Sequence, residues 1–392
     1  MKHLRGTRPG WRAAGVGAAL TGTLGVLLSQ ELRFKNPEQP STRDWEHLKV
    51  VPRGGVDLGI SFRPMQAQSL GLEGPATLEA LLSYPFQLIR LAAYWNHIDL
   101  PGGLFDFSEL DWQVDAAERA GKRIILAVGA VKNLGYPEFF APDHWLEQPL
   151  PEGHLVEPMV NERLLAGARQ FITRIVTRYQ RRTSIVAWQL EHESVDPLGV
   201  EHTWRLSTAF VEGELTALRH ADDSRPVMMN GFLPTSTPVR VSQWWRTRDQ
   251  GDSLAVAARL ADIVGIDYYP CHALMRMGGK TLYLDGSATP WRHRRPRRLM
   301  ESAHRQGRSV MISEGQAEPW ETATTPPNPR AMTMYSCTPE RLIDNYNQCL
   351  TWGRCGAAPL DAYLFWGAEY WLLRQQGGDT RYIRAFRRIL ES

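Results

Sequence analysis

Two glutamates occupy settings in which carboxyl chemistry is plausible on residue type alone. One closes the run Trp188-Gln189-Leu190-Glu191-His192-Glu193. The other opens Ser313-Glu314-Gly315-Gln316-Ala317-Glu318-Pro319-Trp320. Elsewhere, each at the end of a short apolar run, stand Arg90 with Tyr94-Trp95-Asn96, then Asp267-Tyr268-Tyr269-Pro270, then Trp366. Two carboxyl groups facing each other across a cleft can cleave a glycosidic bond. One must carry a proton for the leaving oxygen, and the other must be ionised to attack the anomeric carbon. An arginine and a tyrosine beside the attacking carboxylate would keep it charged and oriented. Tryptophan supplies flat platforms for a sugar ring, and the chain holds 14 of them.

Such side chains need a rigid frame. Short apolar stretches rich in β-branched residues recur at 56–62, 87–92, 123–128, 185–189, 226–230, 263–268, 309–313 and 362–365, each followed by a helical pattern. Ser108 with Glu109 and Asp111 opens a helix that should end near Gly121. Helices are expected at about 161–181, at about 201–220, before Gly307, from Thr338-Pro339-Glu340 and over 380–391. Eight strand-then-helix units argue for an α/β fold, the (β/α)8 or TIM barrel, as one domain over 55–392. In such barrels the reactive groups sit at the C-terminal ends of the strands. The residues named above lie at those ends.

With that placement, the chain resembles the clan of retaining (β/α)8 glycoside hydrolases that includes the cellulase-like, mannanase and β-galactosidase families. The resemblance spans about residues 56–390 and rests on several matches in order, including Gly103-Leu104-Phe105-Asp106-Phe107 after the second strand. It implies Glu193 as acid/base, Glu314 as nucleophile, and a double-displacement cleavage of β-linked sugars. It implies Arg90, Tyr94, Trp95, His192, Tyr268 or Tyr269, Trp320 and Trp366 as substrate-binding residues around them. The clan usually has Asn before the acid/base; here that position is His192, which bears on the substrate more than on the reaction. Glu191 competes with Glu193, because residues two apart in a strand share a side. The clan's register favours Glu193. Glu318 reads as a loop acid at the rim. The implied partner is an oligo- or polysaccharide, and no metal or organic cofactor is implied. A carbohydrate-binding protein on a barrel without activity is the rival, and a metal-dependent hydrolase is a third reading.

Other chemistries lack their signatures. His192-Glu193 has Asp196 where a zinc-protease helix needs its second His. No G-x-S-x-G elbow, phosphate loop or dinucleotide fingerprint occurs. The formal charge is 45 − 42 = +3. Lys2, Arg5, Arg8 and Arg12 supply four positive charges, so the body has no basic footprint for nucleic acid. The run Arg292-His293-Arg294-Arg295-Pro296-Arg297-Arg298 reads as a solvated start of a helix. After the basic residues, the span from Ala13 to Gln30 carries no charge. We expect residues 1–33 to be a hydrophobic membrane anchor or a signal segment, with 34–54 as linker and an exported body. The cysteines Cys271, Cys337, Cys349 and Cys355 leave disulfides and free thiols both open.

Overall fold

The computed structural model describes residues 31–35, 45–196, 203–287, 294–321, 335–354 and 359–392. Eight parallel strands close into a barrel. They are β1 (Asp57–Ser61), β2 (Leu88–Ala92), β3 (Arg123–Ala127), β4 (Ile185–Gln189), β5 (Val227–Phe232), β6 (Ile263–Tyr268), β7 (Ser309–Gln316) and β8 (Ala362–Trp366). Each pairs with its neighbours in chain order, and β8 closes on β1. The eight expected strands and the (β/α)8 class are therefore observed. Helices Ser108–Arg119, Glu162–Tyr179, Thr208–Ala221, Arg294–Arg305, Pro339–Arg354 and Arg381–Leu390 cover the outside.

The strands are continuous apolar runs because helices bury their outer faces while the barrel lumen buries their inner ones. The lumen is layered. Leu88, Ile125, Ala187, Met228, Met311, Ala362 and Leu364 pack together as an apolar plug. Side chains two residues further on share the inward face. Those next positions are polar: Arg90 after Leu88, Gln189 after Ala187, Asn230 after Met228 and Ser313 after Met311. A dry plug thus carries a polar floor at the C-terminal mouth.

The structure adds elements that the alternating pattern does not contain. Strands Cys271–Met277 and Lys280–Asp285 form an antiparallel hairpin after β6, and Leu32–Lys35 pairs with its second strand. Trp45, in the stretch expected as a linker, is buried, and Arg388 donates to the carbonyls of Trp45 and Leu48. No helix among the described residues is long and apolar enough to cross a membrane. Of the anchor or signal expected over residues 1–33, residues 1–30 lie outside the described residues, whereas Glu31 bonds Thr237 and Leu32 and Arg33 belong to the strand that pairs with the hairpin. Cys271, Cys337 and Cys349 are buried free thiols; Cys355 lies outside the described residues.

Barrel closure depends on a close backbone approach at Gly59. A Cβ there would stand 1.9 Å from the carbonyl oxygen of Leu88 on the neighbouring strand, and backbone cannot yield as a side chain can. Gly59→Ala is expected to destabilise the fold by about 3 kcal/mol or more, at or above the usual cost of overpacking. Urea unfolding checks this; a midpoint equal to the wild type would show that β1 and β2 can separate without penalty.

Candidate active site

The inward polar residues form a connected chain. Arg90 Nε donates to Gln189 Oε1 at 2.6 Å, and Gln189 Nε2 donates to Asn230 Oδ1 at 3.2 Å. Asn230 Nδ2 donates to Asp267 Oδ2 at 2.6 Å, and Ser313 Oγ donates to Asp267 Oδ1 at 2.7 Å. Arg90 Nη1 then reaches Glu314 Oε1 at 2.7 Å, next to Ser313 in the chain. Five strands are linked by side chains that each fill a donor or acceptor of the next.

Glu314 enters the lumen through a β-bulge. Ile266 pairs with Ile312, but Asp267 pairs with Glu314; on the other side Ile312 pairs with Tyr363 and Gly315 with Phe365. The extra residue lets Ser313 and Glu314 both face the mouth, where strict alternation would send one outward. Three donors converge on the carboxylate: Arg90, His192 Nε2 at 2.8 Å and the Tyr269 hydroxyl at 2.5 Å. Burial by itself would raise its pKa. His192 and Arg90 overrule that, and the carboxyl is held down at about 2. Burial pushes His192 below its usual value, against the pull of Glu314. The ring is therefore neutral at pH 7, with the proton assigned to Nε2 facing Glu314. Its Nδ1 is buried without a partner.

Glu193 has the opposite surroundings. It lies beyond β4 in a turn, and it is 5% exposed. Burial, then the neighbouring charges of Asp267, Asp196, Glu314 and Glu138, drive its pKa well above the ordinary carboxylate value. Its carboxyl shares a hydrogen bond with Asp267, which burial and Glu314 also push up. One proton is thus retained between Glu193 and Asp267. Lys132 Nζ fixes the turn by donating to the carbonyls of Glu193 and Asp196, at 2.8 and 2.9 Å.

The structure separates Glu191 from Glu193. The segment past Gln189 is no longer a strand, so shared parity does not apply. Both glutamates adopt left-handed backbone, with φ of 52° and 44°. Glu191 turns to accept the amides of Val131 and Lys132 at 2.9 and 2.6 Å, which ties the loop after β3 to the loop after β4. Gly129 permits this approach, since a Cβ there would stand 2.0 Å from the Glu191 nitrogen. Glu191 is a clamp, and only Glu193 stands with Glu314 and Asp267.

Three expectations are corrected. Trp95 does not reach the mouth: it starts helix Trp95–Ile98, bonds Asp99 at 3.0 Å and stacks on Phe171 under the outer helices. Tyr268 points out of the lumen, to Gln348 at 2.8 Å and the edge of Trp352, because it has the parity opposite to Asp267. Tyr269 has the inward parity and meets Glu314. Glu318 is not a rim acid; it is 1% exposed and forms an ion pair with Arg63 at 2.8 Å, beside Glu369.

The remaining residues lie around the mouth. Trp366 lies parallel to His192 at 6.3 Å, with the Arg63 guanidinium 4.4 Å from its centroid. Trp320 meets Tyr269 edge-on at 5.4 Å. The Nε1 atoms of Trp320 and Trp366 and Arg90 Nη2 are buried without partners. Tyr94 packs on Phe140, its hydroxyl close to Gly135, and makes no recorded bond to Glu314. Sequence reasoning missed Lys132, Glu138, Arg63, Glu369 and Asn230. Only the last had a readable signal, as the inward residue at the end of its strand. His192, Asp267 and Glu314 bring possible metal-ligand atoms within 4.8 Å of one another. Asp267 there accepts from Asn230 and Ser313, and Glu314 accepts from Arg90, His192 and Tyr269, so protein donors already engage both carboxylates.

No protein-family model matches the sequence, and no curated protein matches it. Solved structures do. The chain is similar to GH5_18 from Streptomyces cattleya in complex with GlcNAc, with 13% identity over 87% of this chain and 81% of that one, at a TM-score of 0.54. It is similar to the exo-β-1,4-mannosidase Op5Man5 from Opitutaceae bacterium strain TAV5, with 15% identity over 83% of this chain and 55% of that one, at a TM-score of 0.50. A GH10 xylanase from Thermobacillus composti aligns at 16% identity over 80% of this chain and 84% of that one, with a TM-score of 0.48.

The depressed pKa of Glu314 makes a stability prediction whose sign can be worked out. A carboxyl with a folded pKa below its unfolded one stabilises above about pH 4.5 and loses that contribution as pH falls towards 2. The drop from 4.5 to about 2 corresponds to about 3 kcal/mol. Glu314→Gln, which also leaves Arg90 buried without its anion, is expected to melt below the wild type at pH 7. The difference should shrink between pH 4.5 and 2, as read by thermal unfolding across that range. A constant difference would mean that Glu314 is not held ionised.

What the likeness to the Streptomyces cattleya and Opitutaceae structures, at identities of 13 and 15%, establishes is a shared barrel fold.

Proposed function

We propose that the protein is a retaining glycoside hydrolase acting on β-linked sugars. The observation that carries this reading is the electrostatic asymmetry of two buried glutamates at one barrel mouth. Glu314 is held ionised by three donors, and Glu193 retains a proton beside Asp267. In the first step Glu314 attacks the anomeric carbon while Glu193 gives its proton to the departing oxygen. In the second step Glu193, now a base, takes a proton from water, and the water oxygen displaces Glu314 from the sugar. The shared fold supports the reading, since one of the similar structures is an exo-β-1,4-mannosidase and another holds GlcNAc. The basic residues before the uncharged span 13–30 favour an exported body, held at a membrane if the segment is not cleaved.

The open polar atoms around the mouth suit a sugar. Arg90 Nη2, Trp320 Nε1 and Trp366 Nε1 offer donors, and His192 Nδ1 offers an acceptor. A hydroxyl both donates and accepts, so a polyol can satisfy both kinds. His192 in place of the clan's usual Asn then couples the sugar to the nucleophile, with one ring nitrogen on each.

The test is hydrolysis of a panel of aryl β-glycosides with the product anomer followed by NMR. The expected first product keeps the β configuration. Glu314→Ala should abolish turnover on every substrate. Glu193→Ala should still release dinitrophenol from an activated glycoside, and azide should speed turnover by replacing the base-assisted water. Inversion of the anomer would refute the double displacement. Binding of sugars with no hydrolysis would establish the carbohydrate-binding rival. Rescue in Glu191→Ala but not in Glu193→Ala would exchange the roles of the two acids.

A further inference from the structure

Among the described residues, three that are not glycine have positive φ, and all three are glutamates. They are Glu191, Glu193 and Glu138, the last at 78°. Residues with side chains enter this region at a conformational cost and persist there when something else is gained. Glu191 gains two amide bonds, and Glu193 gains its place beside Asp267. Glu138 has no such return within the protein. Its backbone is held by Asn133 N donating to the Glu138 carbonyl at 2.9 Å and by a bridge between Lys132 and Phe139. The Glu138 carboxyl oxygen Oε2 is shut off from solvent and has no partner.

The position of Glu138 follows from its neighbours. Tyr136 meets Trp320 edge-on at 6.0 Å, Trp320 meets Tyr269 at 5.4 Å, and the Tyr269 hydroxyl bonds Glu314. The loop after β3 therefore forms a wall of the same cleft. Burial pushes the Glu138 carboxyl up to about 8, with Lys132 drawing it down and Glu314 adding to the rise. Lys132 Nζ gives two of its three N–H groups to the carbonyls of Glu193 and Asp196, and Glu138 Oε2 is left without a partner. The wall thus holds an unpartnered acceptor in the cleft where the Arg90, Trp320 and Trp366 donors are also unpartnered.

We propose that Glu138 is a substrate-binding residue of the cleft, whose Oε2 accepts a hydrogen bond from a hydroxyl of the bound sugar. The inference rests on the glycosidase reading and deepens it, since it assigns to the loop after β3 a part in choosing the sugar.

The experiment compares wild type, Glu138→Gly and Glu138→Gln on the aryl β-glycoside that the wild type cleaves fastest, with melting temperature measured for each. Both variants should lose about tenfold or more in kcat/KM, chiefly through a higher KM. Glu138→Gly should melt above the wild type, because glycine takes this backbone conformation without strain. A residue kept only for structure would give the reverse, a lower melting temperature in Glu138→Gly, and that result overturns the proposal. So does a kcat/KM within about twofold of wild type in both variants, the difference expected where no contact is lost. A wild type inert on the whole panel overturns the glycosidase reading, and this inference with it. An active wild type with unaffected variants overturns this inference alone.

Discussion

The polar chain that runs from Arg90 through Gln189, Asn230 and Asp267 to Ser313 is the constraint on which the mouth of the barrel depends. Each member sits on a different strand and lies where water is excluded. A buried polar group without a partner costs about 1–3 kcal/mol, so the five strands have one relative arrangement that satisfies every member. The apolar plug beneath would tolerate small slips. The polar layer above it would not, since a one-residue slip turns an inward side chain outward. Arg90 is at once the last link of this chain and the cation on Glu314. The register of the barrel and the ionisation of the carboxylate are therefore set by the same guanidinium.

The frame was legible because its signals are local. Apolar runs bounded by helix starts marked all eight strands, and the reactive residues were sought at their ends. The choice between Tyr268 and Tyr269 was also within reach: once Asp267 faces inward, period two assigns Tyr269 to the mouth. What the sequence could not show were the breaks in period. The bulge at Ser313 and Glu314 changes the parity of β7, and left-handed turns at Glu191 and Glu193 send two residues of equal parity to different tasks. Trp95 was misplaced because a helix starts at that residue and carries its ring outward. Glu318 was read as a surface acid because its partner, Arg63, is 255 residues away along the chain.

Arg63 carries a buried charge that orients the mouth without touching Glu314. It is fully buried, bonds both Glu318 and Glu369, and lies over Trp366. A buried ion triad is weak grounds for stability, because desolvation offsets its attraction. Its effect here is geometric. It fixes the end of β1, the loop after β7 and the helix after β8 to one another, and so fixes the tryptophan that lies parallel to His192. His192 in turn holds Glu314. The orientation of the nucleophile candidate is thus determined from two sides, by Arg90 from within the lumen and by the His192–Trp366 pair from the rim.

The two glutamates differ in protonation because of what the backbone gives each to face. Both are buried, and burial alone raises a carboxyl. Glu314, at the end of a strand, receives donors from β2, from the loop after β4 and from the end of β6. Glu193, held in a left-handed turn by Lys132, is given acids to face, and its carbonyl rather than its carboxyl accepts the lysine hydrogen bond. Had Lys132 Nζ reached the carboxyl, the ammonium would draw the Glu193 pKa down. An ammonium group that bonds the main chain keeps the turn in place without drawing the neighbouring carboxyl down, and that placement is what lets two identical side chains in one cleft have pKa values shifted in opposite directions.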